Sequence, residues 1–194
     1  KEKLEGRTVF LWNTHYTNDV NEMFDEWMKF IDFFRKNKDY ALIWRPHPMA
    51  ECVIKVYNPS AYPKFLALIK TINDSENIVF DNSASYLPSF VYSDALISTQ
   101  SSIVTQYLFT EKPIIVTRYY LNSDNKDSYL TTVDRLFDYS KLENALSFSD
   151  IVDFIKKIHN RKDEYLENRK SLIRDCFALY DGKCGERVAK AVID

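Results

Sequence analysis

Five short runs of consecutive apolar residues, most of them followed by a stretch whose apolar positions recur at helical spacing, restrict this chain more than any other feature. Thr8-Val9-Phe10-Leu11-Trp12 leads into Val20, Met23, Phe24, Trp27, Ile31 and Phe34, which fall on one side of a helix. Ala41 to Trp44 is followed by Tyr62, Phe65, Leu66 and Ile69 as a helix face, and Ile78-Val79-Phe80 by a short helix near Tyr86 to Tyr92. Ala95-Leu96-Ile97 precedes a helix from Ser102 to Phe109, and Pro113-Ile114-Ile115-Val116-Thr117 supplies the fifth run. Strands that are apolar throughout, without alternation, are buried on both faces. The pattern predicts an α/β fold: a doubly wound, Rossmann-like parallel sheet of about five to six strands with helices on both faces.

From Tyr119 to Asp150 the pattern is irregular, with Asn122-Ser123-Asp124-Asn125 reading as an exposed loop; helices are expected at 150–159, 162–179 and 184–193. With 194 residues, 45% of them hydrophobic, the chain can bury one core. Residues 8–194 are expected to form a single domain. The charged lead-in 1–7 has no initiator Met and reads as the remnant of a linker, so the domain is expected to be excised from a larger protein.

A net charge of −2 argues against a domain-wide nucleic-acid footprint, so no nucleic-acid partner is expected and any anion site must be local. Cys52, Cys176 and Cys184 are far apart and lack C-x-x-C spacing, which fits a reducing compartment and predicts neither a metal nor a disulfide framework. No apolar stretch approaches the roughly 18 to 20 residues of a membrane span, and no signal peptide is visible.

In an open α/β sheet, ligands bind beyond the carboxyl ends of the strands. The residues just past each run are Asn13-Thr14-His15, Arg45-Pro46-His47, Asp81-Asn82-Ser83, Ser98 to Ser102, and Thr117-Arg118-Tyr119. Asn13, His15, Asp81 and Arg118 are the outlying crevice candidates. Arg45 and His47 each precede a proline, which disfavours helix and places them on a stiff segment expected just past the strand. Ser98, Thr99, Gln100, Ser101 and Ser102 lie between a strand and a helix, where hydroxyls and unpaired N–H groups suit phosphate. Ordinary N-capping by Ser101 or Ser102 predicts the same residues. Three glycines in the whole chain leave no G-x-G-x-x-G and no Walker loop. His159, among Lys156, Lys157, Arg161 and Lys162, reads as a helix-end cation that complements the dipole.

Arg45-Pro46-His47-Pro48, then Tyr92 to Ile103, then Glu111-Lys112-Pro113-Ile114-Ile115, then Asp181-Gly182 with Glu186-Arg187, together resemble the CDP-glycerol glycerophosphotransferase family, the wall teichoic acid primases and polymerases. The resemblance covers residues 8 to 193. Thr99-Gln100 stands where the family usually has Asp-Tyr. The resemblance implies the C-terminal, donor-nucleotide lobe of a GT-B type transferase, with the active site between this lobe and an absent N-terminal one. His47 would contact or protonate the donor pyrophosphate and Ser101 and Ser102 would bind it. Arg45 would be a fixed phosphate partner, Asp181-Gly182 would lie at the same crevice, and Glu186 would reach the ribose.

The implied reaction transfers a polyol phosphate from a CDP-glycerol-like donor to a cell-surface polymer or its lipid-linked primer, with no cofactor and no metal. The full-length protein would be cytoplasmic and peripheral at the inner face of the membrane, and this lobe alone would be inactive. Two other readings stay open. One is the lobe of a nucleotide-sugar glycosyltransferase in capsule or surface polysaccharide synthesis. The other is a non-catalytic Rossmann-like interaction module, to which Thr99-Gln100 gives some support.

Overall fold

Six strands, β1 (Thr8–Thr14), β2 (Tyr40–Pro46), β3 (Ile78–Phe80), β4 (Ala95–Ser98), β5 (Ile114–Thr117) and β6 (Glu143–Ala145), form one sheet in the order β3-β2-β1-β4-β5-β6. Every neighbouring pair is parallel. The structure, a computed structural model, describes residues 2–15, 20–117, 137–177, 179 and 181–193. The described helices are α1 (Val20–Lys36), α2 (Ala50–Tyr57), α3 (Tyr62–Asn73), α4 (Leu87–Tyr92), α5 (Ser102–Tyr107), α6 (Phe148–His159), α7 (Leu166–Cys176) and α8 (Cys184–Ile193). The doubly wound parallel sheet expected from the sequence is present.

Successive strand residues point to opposite faces, and here both faces are dry. Phe10, Trp12, Leu42, Trp44, Ala95 and Ile97 point into one cluster with α1, α2, α3 and α6; Val9, Leu11, Ala41, Ile43 and Leu96 point into the other with α4, α5 and α7. Each fully buried side chain of this size contributes about 1.5–3 kcal/mol, so two dry faces explain why the strands read as continuous apolar runs. On the first face the aromatic rings of Trp12 and Trp44 lie 5.9 Å apart, those of Trp27 and Trp44 4.8 Å, and Trp12 stacks on Phe30 at 4.1 Å. All three tryptophans therefore belong to one cluster.

The structure departs from the sequence reading in several places. Strand β2 runs through Arg45 and Pro46 instead of ending at Trp44. Alternate strand residues face opposite neighbours; the His47 N–H donates to Thr14 O on the β1 side at 2.8 Å, so the Pro46 nitrogen faces the β3 side. There β3 has already ended at Phe80, opposite Trp44, so the missing N–H removes no ladder bond.

Helix α2 was not expected, because only Ala50 and Ile54 of it are buried. Leu66 is exposed, and Leu68 and Ile72 complete the α3 face in its place. The 162–179 helix shrinks to α7, because α6 ends with Arg161 in the left-handed region (φ 56°) and Asp163 is drawn into an ion pair with buried Arg169. Beyond α5 the chain tightens into a 3₁₀ turn over Leu108–Thr110. Lys3 Nζ, in the charged lead-in, donates to the carbonyls of Asn73 at 2.8 Å and of Ile72 and Ile78 at 3.3 Å. No residue of α8 is buried. No described helix is long and apolar enough to cross a membrane.

Candidate functional site

Because all six strands are parallel, their carboxyl ends lie along one edge. The strand order reverses between β1 and β4, from which the chain continues in opposite directions, to β2 through α1 on one face and to β5 through α5 on the other, so the crevice opens there. Across this edge Arg45, Asn13, Ser98 and Val116 form one register row.

Asn13 is the hub of that row. Its Nδ2 donates to Arg45 O at 2.9 Å, and its Oδ1 lies 3.4 Å from both Ser98 Oγ and Ser101 Oγ. Ser98, fully buried, donates to Thr99 O at 2.9 Å and its oxygen lies 3.2 Å from Ser101 Oγ. Ser101 occupies the N-cap of α5 with extended backbone (φ −161°, ψ 163°), yet its side chain accepts no capping bond. The ordinary capping expected as an alternative is therefore not what this hydroxyl does. It is turned toward the switch point, and the first-turn amides of α5 get no side-chain cap. Thr99 and Gln100 are half-buried, and Thr99 Oγ1 is buried without a hydrogen-bond partner. Ser102 is exposed, at the outer rim.

His47 sits in the turn that links β2 to α2. Its carbonyl accepts from Ala50 N at 2.8 Å, and its Nδ1 accepts from Met49 N at 3.1 Å, which assigns the proton of the neutral ring to Nε2. The His15 ring lies 5.0 Å away, centroid to centroid. Partial burial lowers the His47 pKa, and the neighbouring His15 lowers it further, so the free protein holds a neutral donor here.

Arg45, the expected phosphate partner, turns its side chain to protein groups. Its side chain is 9% exposed and its guanidinium is committed to protein: Nη1 donates to Asp81 Oδ2 at 2.7 Å, and Nη2 to Ser83 O at 2.8 Å. Asp81 also accepts from Ser83 and Ser89. Burial pushes the Asp81 carboxyl up, but the hydrogen bonds from Ser83, Ser89 and Arg45 outweigh it and hold it below its ordinary value. The pair fastens the loop after β3 to the end of β2. Ser85, whose carbonyl accepts from Arg45 Nη1 at 3.4 Å, and Ser89 had no signal in the sequence beyond loop polarity.

The other expected residues are not gathered here. Asp181 is exposed and bonded within its own turn, to Lys183 N at 3.1 Å and to Arg187. Gly182 and Glu186 are exposed alongside it, and among the described residues no hydrogen bond or ion pair ties these three to the strand ends. Gly182 has φ 75°, the left-handed backbone a glycine tolerates. Arg118 lies outside the described residues. His159 is at the opposite edge, its Nδ1 2.9 Å from Thr8 Oγ1. Among the described residues no group of three or more His, Cys, Asp or Glu could hold a metal ion.

The sequence profile of the CDP-glycerol:poly(glycerophosphate) glycerophosphotransferase family matches residues 14–194. The minor teichoic acid biosynthesis protein GgaB of Bacillus subtilis (strain 168) is 24% identical over 188 residues, covering 94% of this chain but 18% of that protein. A histidine-to-alanine variant of the wall teichoic acid polymerase TagF superposes with a TM-score of 0.63 at 13% identity, covering 97% of this chain and 43% of that one. The S. aureus MnaA–UDP co-structure superposes with a TM-score of 0.59 at 16% identity, over 98% of this chain and 46% of that one. At such identities the two structures show a shared fold. This chain spans less than half the length of each of these three proteins.

Proposed function

From the fact that the chain belongs to the CDP-glycerol:poly(glycerophosphate) glycerophosphotransferase family, we infer that it is the donor-binding lobe of a GT-B type transferase. The reaction would move a polyol phosphate from a CDP-activated donor to a surface polymer or its lipid-linked primer. A second lobe would bring the acceptor and the general base, as GT-B chemistry takes place between lobes. The observation that carries this reading is the convergence of His47, His15, Asn13, Ser98 and Ser101 on the switch point of a parallel sheet.

In the transfer, an acceptor hydroxyl oxygen attacks the phosphorus that carries the polyol, and the bond from that phosphorus to CMP breaks with its electron pair on the CMP oxygen. Charge grows on the leaving phosphate, and donors already fixed in place stabilise it most effectively. The Nε2–H of His47 and the Ser101 hydroxyl would be side-chain donors to it. A pyrophosphate bound beside His47 would raise a pKa that burial and His15 keep low, so the ring would gain a proton as the donor arrives. An imidazolium made in that way can return its proton to the departing CMP. Arg45 supports the site from behind, through Asp81. Membrane association would come from the full-length protein.

Calorimetric titration of the chain with CDP, UDP and GDP tests the reading. CDP should bind in preference, and His47→Ala should weaken it by roughly tenfold or more, the worth of a charge-assisted hydrogen bond. Preference for UDP would transfer the site to a nucleotide-sugar enzyme, a reading favoured by the fold shared with MnaA. A folded chain that binds none of the three would refute both.

A further inference from the structure

We propose that Asn13 is the positioning residue of the donor site, joining the turn that carries His47 to the turn that carries Ser98 and Ser101. The inference rests on reading this crevice as the donor-phosphate site.

Two turns from different crossover units must hold a fixed distance for their donors to meet one pyrophosphate. The β2 turn and the β4 turn are not neighbours in the sheet; β1 separates them. Asn13 is the β1 residue in register with both Arg45 and Ser98. It bridges them with a side chain that donates to Arg45 O at 2.9 Å on one side and accepts from Ser101 Oγ at 3.4 Å on the other, where Ser98 Oγ lies at the same distance. The next residue continues the arrangement, since Thr14 O accepts the His47 N–H at 2.8 Å while Thr14 Oγ1 accepts from Trp44 Nε1 at 3.2 Å.

A carboxamide offers a donor and an acceptor on opposite sides of one short planar group, in a fixed geometry and without charge. Aspartate would lose the donor to Arg45 O and bring a negative charge beside the phosphate; leucine would keep the volume and lose both functions. The carboxamide also decides what Ser101 does. The Ser98 proton is committed to Thr99 O at 2.9 Å, so the Ser101 proton turns to Asn13 Oδ1 or Ser98 Oγ, away from the capping geometry its place at α5 would otherwise favour. Both bonds open to Ser101 are long, and a phosphate oxygen can replace them at little cost.

The test compares binding of CDP and of cytidine, with a thermal melt on every variant. In Asn13→Leu, CDP affinity should fall about tenfold while cytidine affinity stays within about twofold, because the turns being positioned meet phosphate and not the nucleoside. Asn13→Asp, which is isosteric and spares the packing if Asn13→Leu does not fold, should lose at least as much. Ser101→Ala should cost less in the Asn13→Leu background than in the wild type, since the hydroxyl it removes is then no longer held. Wild-type CDP affinity in either Asn13 variant, or equal loss of CDP and cytidine, overturns the positioning role and leaves the donor-site reading intact. No CDP binding by the folded wild type removes the donor-site reading itself.

Discussion

Replacing Arg45 with Met separates two roles for a residue that lies beside the proposed donor site. Its guanidinium donates to Asp81, Ser83 and Ser85, and the side chains of Arg45 and Asp81 are 9% and 12% exposed. Breaking such a buried pair from one side costs about 3–5 kcal/mol, because the remaining charge is stranded. Asp81 would keep its bonds from Ser83 N, Ser83 Oγ and Ser89 Oγ, so the lower end, about 3 kcal/mol, is expected. For a chain of this size that is a fall in Tm of about 6–12 °C. Circular-dichroism melts read it directly. Arg45→Met with Asp81→Leu leaves no charge behind and should recover most of the loss.

The pH dependence has a definite sign. A carboxyl held below its unfolded value of 3.8 contributes stability above that pH and loses it as pH falls through the folded pKa, so the gap between wild type and Arg45→Met should narrow below about pH 4. CDP affinity of Arg45→Met, measured well below its Tm, should stay within about threefold of wild type, as for a residue that adds no direct contact. An unchanged Tm together with a tenfold or greater loss of CDP affinity would refute the reasoning and restore Arg45 as a phosphate ligand.

Ser147→Ala should destabilise the chain by about 1 kcal/mol, seen as faster amide exchange in the first turn of α6, since Ser147 and Asp150 form a reciprocal capping box there. For His47, whose pKa is lowered in the folded protein, unfolded chains gain the proton first as pH falls below 6.5, so wild-type stability should drop there more than that of His47→Ala. CDP binding near neutral pH should take up protons, measurable in buffers of different ionisation enthalpy, and His47→Ala should abolish the uptake.

The parts of the fold legible in the sequence were those set by double burial. Strands β1, β2, β4 and β5 show as apolar runs because their central residues are buried on both faces, β3 shows although Val79 and Phe80 are only half-buried, and α1 shows because Met23, Phe24, Trp27, Ile31 and Phe34 all face the core. Strand β6 was not legible: Glu143 and Asn144 are only partly buried and just Ala145 is fully inside, so three residues at a sheet edge leave no hydrophobic signature. Helix α2 escaped for a similar reason, with Val56 and Tyr57 exposed and two inward residues too few to show a period.

For the site, polar residues past the strand ends pointed to the right edge, but which of them were free for a ligand depended on partners far away in the chain. Arg45 looks like a phosphate clamp until Asp81, 36 residues on, is seen beside it. Asn13 looks like one loop amide among several until its register with β2 and β4 is known. The residues Asp181, Gly182 and Glu186 came from the family resemblance, and the hydrogen bonds and ion pairs of this lobe by itself do not draw them to the strand ends.

The clustering of Trp12, Trp27 and Trp44 makes the chain report on itself optically. All of its indole emission originates in one place, directly below the turn that bears His47, and Trp44 is coupled to that turn through Thr14. A shift in the position of Thr14 or of the β2 end on nucleotide binding would change the polarity and quenching felt by the whole emitting population at once. Intrinsic fluorescence is therefore a label-free readout of this crevice, with no distant tryptophan to dilute the signal.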